Sequence, residues 1–324
     1  MKAAVYHRYG SPENIMIEEV DKPHPKADEV LIKVYAASIN SWDWDLLRGK
    51  PFIVRMIGGG VFKPKLKILG CDIAGVVEAV GANVRDFKVG DEVFGDISGC
   101  DWGGFAEYTC AKAKILARKP TGISFEEAAA IPQAGVLALQ GLELKGSIEE
   151  GQRVLFNGAG GGVGTLGLQM AKNHGAHVTC VDRGGKLDML KSLGAHEVID
   201  YTKKDFTRLN QKFDLIVDVA AQHKARDYRK VLSDTGKVIF IGGNIPLLFR
   251  TVLAERLTTP YPKRQFFILP HTPNRDDLER LALQCDEGKL KPIIDQIHPL
   301  EKTSDALKYF GEGGVKGKAV ISIR

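Results

Sequence analysis

The stretch "NGAGGGVG" (residues 157–164) contains five glycines in eight positions, and it directly follows the apolar run "RVLF" (residues 153–156). Glycine loses more conformational entropy on folding than any other residue, so this many glycines together indicate a demand that other residues cannot meet. Two such demands are a tight turn and a ligand that contacts the bare backbone. The glycines alone do not distinguish between the two.

The residues on either side of the glycines favour a ligand. The segment "RVLFN" predicts a buried strand, "VGTLGLQMAKNHG" a helix that ends at a glycine, and "HVTCVD" a second strand. The unit from Arg153 to Asp182 has the length of one strand–helix–strand crossover and ends on an acid. This is the setting of a dinucleotide-binding fingerprint.

The fingerprint departs from G-x-G-x-x-G at its first position, which is either Ala159 or Gly158. Gly161 is expected to let the backbone approach a pyrophosphate, whose charge is stabilised at a helix N-terminus. Gly164 is expected to let the helix pack closely on the strand. The predicted pyrophosphate site consists of Gly158, Gly161, Gly162, Val163 and Gly164.

Asp182 ends the second predicted strand, where an acid usually accepts hydrogen bonds from the ribose 2′-hydroxyl of NAD. Arg183 follows at once and Lys186 lies in the same turn, and such cations pair with the 2′-phosphate of NADP. Lys186 has a plainer interpretation as the start of an exposed helix. These residues alone leave both cofactors open.

The rest of the chain predicts an α/β protein with two domains, because 324 residues exceed the usual size of a single core. The first hundred residues are typical of a small all-β barrel or sandwich. A helix is expected after Ser124, with Glu127 at capping-box spacing. From Gly151 onward strands alternate with helices, one of them predicted at "TKKDFTRLNQ" (residues 202–211), which indicates a parallel sheet covered on both faces.

The composition indicates an ordinary soluble protein, with 44% hydrophobic and 26% charged residues. The net charge of +5 is spread along the chain, so no nucleic-acid partner is expected. The sequence shows no secretory leader and no membrane-spanning stretch. The five cysteines are few and far apart, which favours reduced thiols in the cytoplasm.

Several motifs together resemble the zinc-independent quinone oxidoreductase branch of the medium-chain dehydrogenase/reductase superfamily. They are "DEVLIKVYAASIN", "LGCDIAGVVEAVG", "FKVGDEVFG", "GGFAEYTCA", "AAAIPQAG", "GAGGGVG", "LGAHEVIDY" and "GKAVISI". The resemblance implies a GroES-like β-barrel domain over residues 1–122 and a Rossmann domain over residues 123–269. A C-terminal segment, residues 270–324, then returns to the first domain, and the resemblance implies a homodimer.

The resemblance also bears on the cofactor. Lys186 and Tyr201 match positions that hold the 2′-phosphate in quinone oxidoreductases, so NADPH is the expected cofactor. Ligands of this fold gather at the carboxyl ends of the strands, and the residues expected there are Ile241, Gly242, Gly243, Phe266 and Phe267, the two phenylalanines being equally natural core residues. Lys316 and Lys318 are weaker candidates for phosphate contacts.

The resemblance raises the question of whether the chain binds a catalytic zinc ion. Zinc-dependent relatives bind it with a Cys and a His-Glu pair, and the matching positions here are about Ser41 and Cys71-Asp72. A thiol and a carboxylate are two potential ligands, but no histidine supports them. We therefore expect no zinc and predict Cys71 to be a small buried residue.

Alcohol dehydrogenases of this superfamily use zinc as the Lewis acid that polarises the carbonyl of a plain ketone. Without zinc, we expect a conjugated enone or a quinone to be a better hydride acceptor from NADPH. Asn40 is a candidate to donate to the substrate carbonyl or to position the nicotinamide ribose. Asp43 is a second candidate, with a structural role for backbone donors as its alternative. An alcohol dehydrogenase, an enoyl-thioester reductase and a non-catalytic NADPH-binding regulatory protein remain as alternative functions.

Overall fold

In the computed structural model of the chain, which describes residues 1–56, 60–144, 146–259 and 265–323, the backbone divides into two compact units. Unit 1 comprises Met1–Val136 and Pro273–Arg324, and unit 2 comprises Leu137–Thr272. Both junctions come later in the sequence than the predicted boundaries at 122/123 and 269/270. The first junction falls inside a helix, because the helix just before it packs on the sheet of unit 1.

The strands of the described residues alternate with helices in the second half of the chain. The strands are β1 Lys2–Tyr6, β2 Ile15–Glu19, β3 Glu29–Ser38, β4 Asp72–Val80, β5 Glu92–Asp96, β6 Tyr108–Lys112, β7 Leu116–Arg118, β8 Arg153–Asn157, β9 His177–Asp182, β10 Glu197–Asp200, β11 Phe213–Asp218, β12 Leu232–Phe240, β13 Phe266–Ile268, β14 Ile294–Pro299 and β15 Lys318–Ser322.

The α-helices of the described residues are mostly short. They are α1 Ser41–Arg48, α2 Phe125–Ala129, α3 Pro132–Glu143, α4 Gly162–Asn173, α5 Leu187–Ser192, α6 Ala225–Arg229, α7 Ile245–Thr258, α8 Arg275–Asp286 and α9 Thr303–Gly311. In the described part of the chain, none of them has both the length and the apolar character that a membrane span requires.

Unit 1 is built around a seven-stranded sheet in the order β14-β15-β3-β4-β5-β7, with β6 also paired to β3. The first half of β3 pairs with β6 and its last residues pair with β15, while β4 lies along its other edge. This closure buries most of β3 and confirms the predicted barrel-like first domain. It also brings the ends of β3, β4, β5 and β15 together.

Unit 2 holds a parallel six-stranded sheet in the order β10-β9-β8-β11-β12-β13. In β8, one of its two central strands, the three middle residues Val154, Leu155 and Phe156 are apolar and fully buried, as expected for a sheet covered on both faces. The strand order reverses between β8 and β11, and ligands of such sheets bind outside the carboxyl ends at this point. The predicted Rossmann architecture is confirmed.

The helix predicted after Ser124 is two helices, α2 and α3. The capping box is confirmed: Ser124 Oγ accepts the Glu127 N–H at 3.1 Å, and the Glu127 carboxylate accepts the Ser124 N–H at 2.9 Å. The break falls just before Pro132, whose ring restricts the preceding residue.

Two other expectations about secondary structure are wrong, and one helix was not predicted. The predicted helix at residues 202–211 is a single 3₁₀ turn, because the Asp205 carboxylate accepts the N–H and the hydroxyl of Thr207 and competes with a helix. The first hundred residues are not all-β, since α1 follows β3 directly. Helix α7, which was not predicted, is capped by Asn244.

Candidate functional site

The glycine-rich loop that follows β8 is fixed by backbone hydrogen bonds to β9. The N–H groups of Gly158 and Ala159 donate to the Val181 carbonyl at 3.0 and 3.1 Å. Gly158 has a φ of +80°, a conformation that favours glycine, so the turn demands this residue. The loop therefore has one turn-forming glycine, and the others need a separate explanation.

Helix α4 presents bare N–H groups just beyond the loop. Its first hydrogen bond runs from the Thr165 N–H to the Gly161 carbonyl at 2.9 Å, so the N–H groups of Gly162, Val163 and Gly164 precede the helical ladder. Apart from the two neighbouring residues in the chain, the Gly158 carbonyl oxygen at 3.9 Å is the sole described protein atom within 4 Å of a Cβ added at Gly161. An open space thus lies beside three N–H groups at a helix N-terminus, which is the physical requirement of a phosphate site.

The remaining glycines permit close packing. A Cβ at Gly164 would overlap the Cα, carbonyl carbon and oxygen of Ala159. One turn later, a Cβ at Gly167 would lie 2.5 Å from the Phe156 ring. Gly164 therefore packs the helix onto the loop as predicted, and Gly167 packs it onto β8. Gly167 was not predicted, although it lies three residues beyond Gly164 on the same helix.

Asp182 is engaged by the loop itself. Its Oδ2 accepts the Gly160 N–H at 2.6 Å, and its Oδ1 accepts the Arg183 N–H at 2.8 Å. The Lys186 ammonium lies 3.9 Å from the same carboxylate, and the Asp182 residue is only 8% exposed. The carboxylate that the sequence suggested for a ribose is largely occupied by protein donors.

Arg183 and Tyr201 meet beside this carboxylate. Arg183 is hydrogen-bonded to the Tyr201 side chain, and this contact raises the pKa of the guanidinium above its ordinary value. Tyr201 is 51% exposed, and its backbone N–H donates to the Asp182 carbonyl at 3.2 Å. The structure thus brings together Asp182, Arg183, Lys186 and Tyr201 where β9 and β10 end.

The other predicted contacts in unit 2 follow β12 and β13. The N–H groups of Ile241 and Gly242 donate to the Asp218 carbonyl at 2.8 and 3.4 Å, so this segment lies at the carboxyl end of β11, next to β8. In β13, Phe266 is buried in the core and stacks with Phe240, whereas Phe267 on the opposite face is half-buried.

Asp218 is an unpredicted residue at the point where the strand order reverses. Its Oδ1 accepts the Asn157 side chain at 2.8 Å and the Ala220 N–H at 3.0 Å, and its Oδ2 accepts the Tyr228 hydroxyl at 2.7 Å. Burial raises the pKa of this carboxyl. The group ties the end of β8, where the glycine loop begins, to the end of β11.

The two lysines suggested as phosphate contacts belong to unit 1. Lys316 is exposed, and its backbone N–H donates to the Asp295 carboxylate at 3.2 Å. The expectation for Lys318 is wrong, because its side chain is only 5% exposed and its ammonium is held by Asn40 and Asp72.

A buried polar cluster surrounds that ammonium. Lys318 Nζ donates to Asn40 Oδ1 at 2.6 Å and lies 3.3 Å from Asp72 Oδ2. Asn40 Nδ2 donates to Asp72 Oδ2 at 2.9 Å and to Cys71 Sγ at 3.3 Å. Both ends of the Asn40 amide are therefore committed within the protein, and the residue is only 7% exposed.

Gln133 and Asp96 complete the cluster. The Gln133 side chain donates to Cys71 Sγ and to Asp96 Oδ2, both at 3.4 Å, and its backbone N–H donates to Asp72 Oδ1 at 2.9 Å. Burial raises the pKa of Asp72, and it raises that of the Cys71 thiol well above its ordinary value. Cys71 is fully buried, as predicted, but its neighbours are polar.

Asp43 is a structural partner of backbone donors in this structure. Its Oδ2 accepts the Asn40 N–H and its Oδ1 accepts the Gly70 N–H, both at 2.7 Å. Burial raises the pKa of Asp43 to about 7, although the two hydrogen bonds and the charge of Lys318 act in the other direction. This is the alternative role that the sequence left open. Ser41, at the position of a zinc ligand in relatives, is exposed.

Two protein families match the chain. Residues 26–121 match the alcohol dehydrogenase GroES-like domain, and residues 193–321 match the zinc-binding dehydrogenase family. These ranges cover much of the barrel unit, the second half of the parallel sheet and the C-terminal segment.

Three similar proteins illustrate the likeness. A 2-methylene-furan-3-one reductase of Solanum lycopersicum is 38% identical over 99% of this chain and 79% of the relative. An NADPH-dependent alkenal/one oxidoreductase from chloroplasts of Arabidopsis thaliana is 35% identical over 99% of this chain and 79% of the relative. The solved structure of a quinone oxidoreductase from Coxiella burnetii has a TM-score of 0.90 and 29% identity, covering 100% of this chain and 99% of that protein.

Proposed function

This chain belongs to the quinone oxidoreductase branch of the medium-chain dehydrogenase/reductase superfamily, and we propose that it is an NADPH-dependent, zinc-free reductase of quinones or α,β-unsaturated carbonyls. The observation that carries the proposal is the open space at Gly161, with the N–H groups of Gly162, Val163 and Gly164 beside it. A diphosphate is the group that such a site accepts.

The residues of unit 2 fit NADPH. The loop and the start of α4 would hold the diphosphate, and Arg183, Lys186 and Tyr201 would hold the 2′-phosphate. Asp182 supports this choice over NAD, because its oxygens already accept two backbone N–H groups and face the Lys186 ammonium. Ile241, Gly242 and Phe267, at the carboxyl ends of the following strands, are the further contacts that we propose.

NADPH supplies a hydride when bound, and the protein supplies binding, orientation and hydrogen bonds. The glycine loop and Asp182 are hydrogen-bonded to each other, so the loop is held in place before any ligand arrives. Such preorganisation reduces the entropy that binding costs. Asp218 adds to it by joining the ends of β8 and β11.

The match to the zinc-binding dehydrogenase family raises the question of whether unit 1 holds zinc. Cys71, Asp72 and Asp96 each offer a ligand atom, and these atoms lie within 4.8 Å of one another. The donor set does not fit zinc, however, because the Lys318 ammonium lies 3.3 Å from Asp72 and amide hydrogens of Asn40 and Gln133 point at the Cys71 sulfur. The reaction that we propose therefore involves no metal ion.

The absence of a metal from the proposed reaction also bears on the class of substrate. In this superfamily a Lewis acid is the usual means of polarising a plain ketone, whereas a quinone or an enone spreads the developing negative charge over its conjugated system. The relatives named as an alkenal/one oxidoreductase and a 2-methylene-furan-3-one reductase support this class.

NADPH oxidation with a panel of small quinones, enones and ketones, together with NADP⁺ reduction by alcohols, tests the proposal. We expect consumption of NADPH with quinones or enones, and none above background with unconjugated ketones. Binding of NADPH without turnover of any member would instead favour a regulatory protein.

The homodimer and the cytoplasmic location are part of the proposal. Light scattering of the purified protein is expected to give twice the 35.4 kDa mass of one chain. Microscopy of a labelled chain in its source cells is expected to show cytoplasmic signal, and an organellar signal would contradict that part.

A further inference from the structure

The buried polar cluster of unit 1 already contains a cation. We propose that the ammonium of Lys318 is the resident cation among Cys71, Asp72 and Asp96, and that its presence keeps divalent metal ions out of this potential metal site. This inference rests on the proposed function and deepens its zinc-free part, because it makes the charge of Lys318 the main barrier to a metal ion, with the amide donors of Asn40 and Gln133 as a weaker one.

The strand register explains why the cluster needs a positive charge. Asp72 and Asp96 are paired directly across β4 and β5, and both are buried. Two carboxylates in this relation repel each other, and burial weakens the screening of that repulsion. A cation beside them relieves the repulsion, whether it is a metal ion or an ammonium.

Lys318 is built into the fold as that cation. It is the first residue of β15, and the backbone beside it is anchored because the Ile39 N–H donates to the Ala319 carbonyl at 2.9 Å. Its Nζ reaches Asn40 Oδ1 at 2.6 Å and Asp72 Oδ2 at 3.3 Å, with 5% of its side chain exposed. A buried lysine without such partners would be strongly destabilising.

The surrounding donors are arranged for an ammonium rather than for a metal. An ammonium only donates hydrogen bonds, so the Asn40 oxygen faces it while the Asn40 nitrogen faces Asp72 and Cys71. A zinc ion would need bond lengths of about 2.0–2.3 Å to the carboxylates and to a thiolate. It would then share Asp72 with a positive charge, and burial favours the neutral form of the Cys71 thiol.

Removing the ammonium should therefore create a metal site. Lys318→Met retains much of the side chain's length and apolar volume but leaves Asp72 and Asp96 without their cation. Divalent cobalt is the probe, because a cobalt–thiolate bond gives a characteristic charge-transfer absorption. We expect Lys318→Met to bind one cobalt ion per chain, at least about a hundredfold more tightly than the wild type does.

The matched control is Lys308→Met, which removes an exposed lysine and should bind cobalt as weakly as the wild type. In the double variant Lys318→Met/Cys71→Ser the thiolate band should disappear. Stoichiometric cobalt–thiolate absorption in the wild type would overturn the proposal, and so would a folded Lys318→Met protein without cobalt binding.

If Lys318→Met does not fold alone, refolding with Zn²⁺ replaces the measurement. A divalent ion that substitutes for the ammonium should restore folding, because a ligand that binds only the native state stabilises it. A chain that stays unfolded with Zn²⁺ would contradict the proposal. Neither readout involves NADPH or substrate, so the reductase proposal and this inference fail separately.

Discussion

Arg183, Lys186 and Tyr201 lie beside a carboxylate whose two oxygens are already used by backbone donors. Asp182 accepts the N–H groups of Gly160 and Arg183, and it remains close to the Lys186 ammonium. Arg183 and Lys186 are therefore the side chains here that can bind a further negatively charged group. At the scale of single residues, this arrangement supports our proposal that these side chains bind a 2′-phosphate.

Replacing Arg183 or Lys186 with Ala should weaken the binding of NADPH far more than the binding of NADH. A hydrogen bond to a charged group contributes about 1.5–3 kcal/mol, so the KM for NADPH should rise roughly ten- to hundredfold while the KM for NADH changes little. Steady-state kinetics with both cofactors measures the two effects.

Lys191→Ala, which removes an exposed lysine of α5, is the control for loss of surface charge and should leave the cofactor preference unchanged. Equal losses of NADPH and NADH affinity in the Arg183 and Lys186 variants would refute the phosphate assignment.

The raised pKa of Asp43 predicts that the stability of the folded protein depends on pH. Its pKa is about 7 in the folded protein, mainly because of burial, against an ordinary value of about 3.9 in an unfolded chain. The folded state therefore binds this proton more tightly. The stabilisation that Asp43 contributes is complete at low pH and is lost as the pH rises through about 7.

The comparison with Asp43→Asn isolates this contribution. The difference in unfolding free energy, wild type minus variant, should fall between about pH 5 and about pH 8. The variant also places an amide against two backbone donors, which lowers its stability at every pH by about 1–3 kcal/mol. Urea unfolding at both pH values measures the difference, and a constant or growing difference would contradict the raised pKa.

At the scale of elements, α4 separates two uses of glycine that look the same in the sequence. Gly161 faces open space, while Gly164 lies against the backbone of Ala159. The first should matter for the ligand and the second for the fold.

Gly161→Ala should therefore affect the binding of NADPH, whereas Gly164→Ala should affect the stability of the protein. At Gly161 the φ of −93° suits any residue, so the alanine protein should be as stable as the wild type but bind NADPH at least about tenfold more weakly. At Gly164 the methyl group overlaps backbone atoms, which should cost about 1–3 kcal/mol of unfolding free energy.

Thermal unfolding without cofactor and fluorescence titration with NADPH measure the two properties, and each variant serves as the control for the other. Loss of stability in Gly161→Ala, or an unaffected Gly164→Ala, would show that the loop geometry is wrong.

The elements were predictable where one local signal dominated. Several strands of unit 2 contain short apolar runs, such as Val154–Phe156 in β8, and Ser124 with Glu127 is a local cap, so both were found. Residues 202–211 contain helix formers, but Asp205 makes a turn with Thr207 that overrides them. Helix α7 has a start signal, a proline at its second residue, Pro246. The helix was not predicted because its apolar and polar residues are poorly separated into two faces.

At the scale of the whole molecule, the two candidate regions differ in how much the sequence reveals. The cofactor site that we propose in unit 2 consists of one loop, one helix start and the residues just after β9, and short motifs of the sequence are enough to suggest its glycines and basic residues. The cluster in unit 1 joins the residue that precedes α1 to residues of β4, β5, α3 and β15. Asp96, Gln133 and the role of Lys318 follow from strand pairing, which sequence spacing does not show.

The central claim is that the protein transfers hydride from NADPH to conjugated carbonyls without a metal. The most direct measurement is the rate of NADPH oxidation with a small enone or quinone, before and after dialysis against a strong chelator, with bound metal quantified. We predict saturable NADPH consumption at an unchanged rate and less than about one-tenth of a zinc ion per chain. A rate that disappears on chelation and returns with Zn²⁺ would contradict the claim.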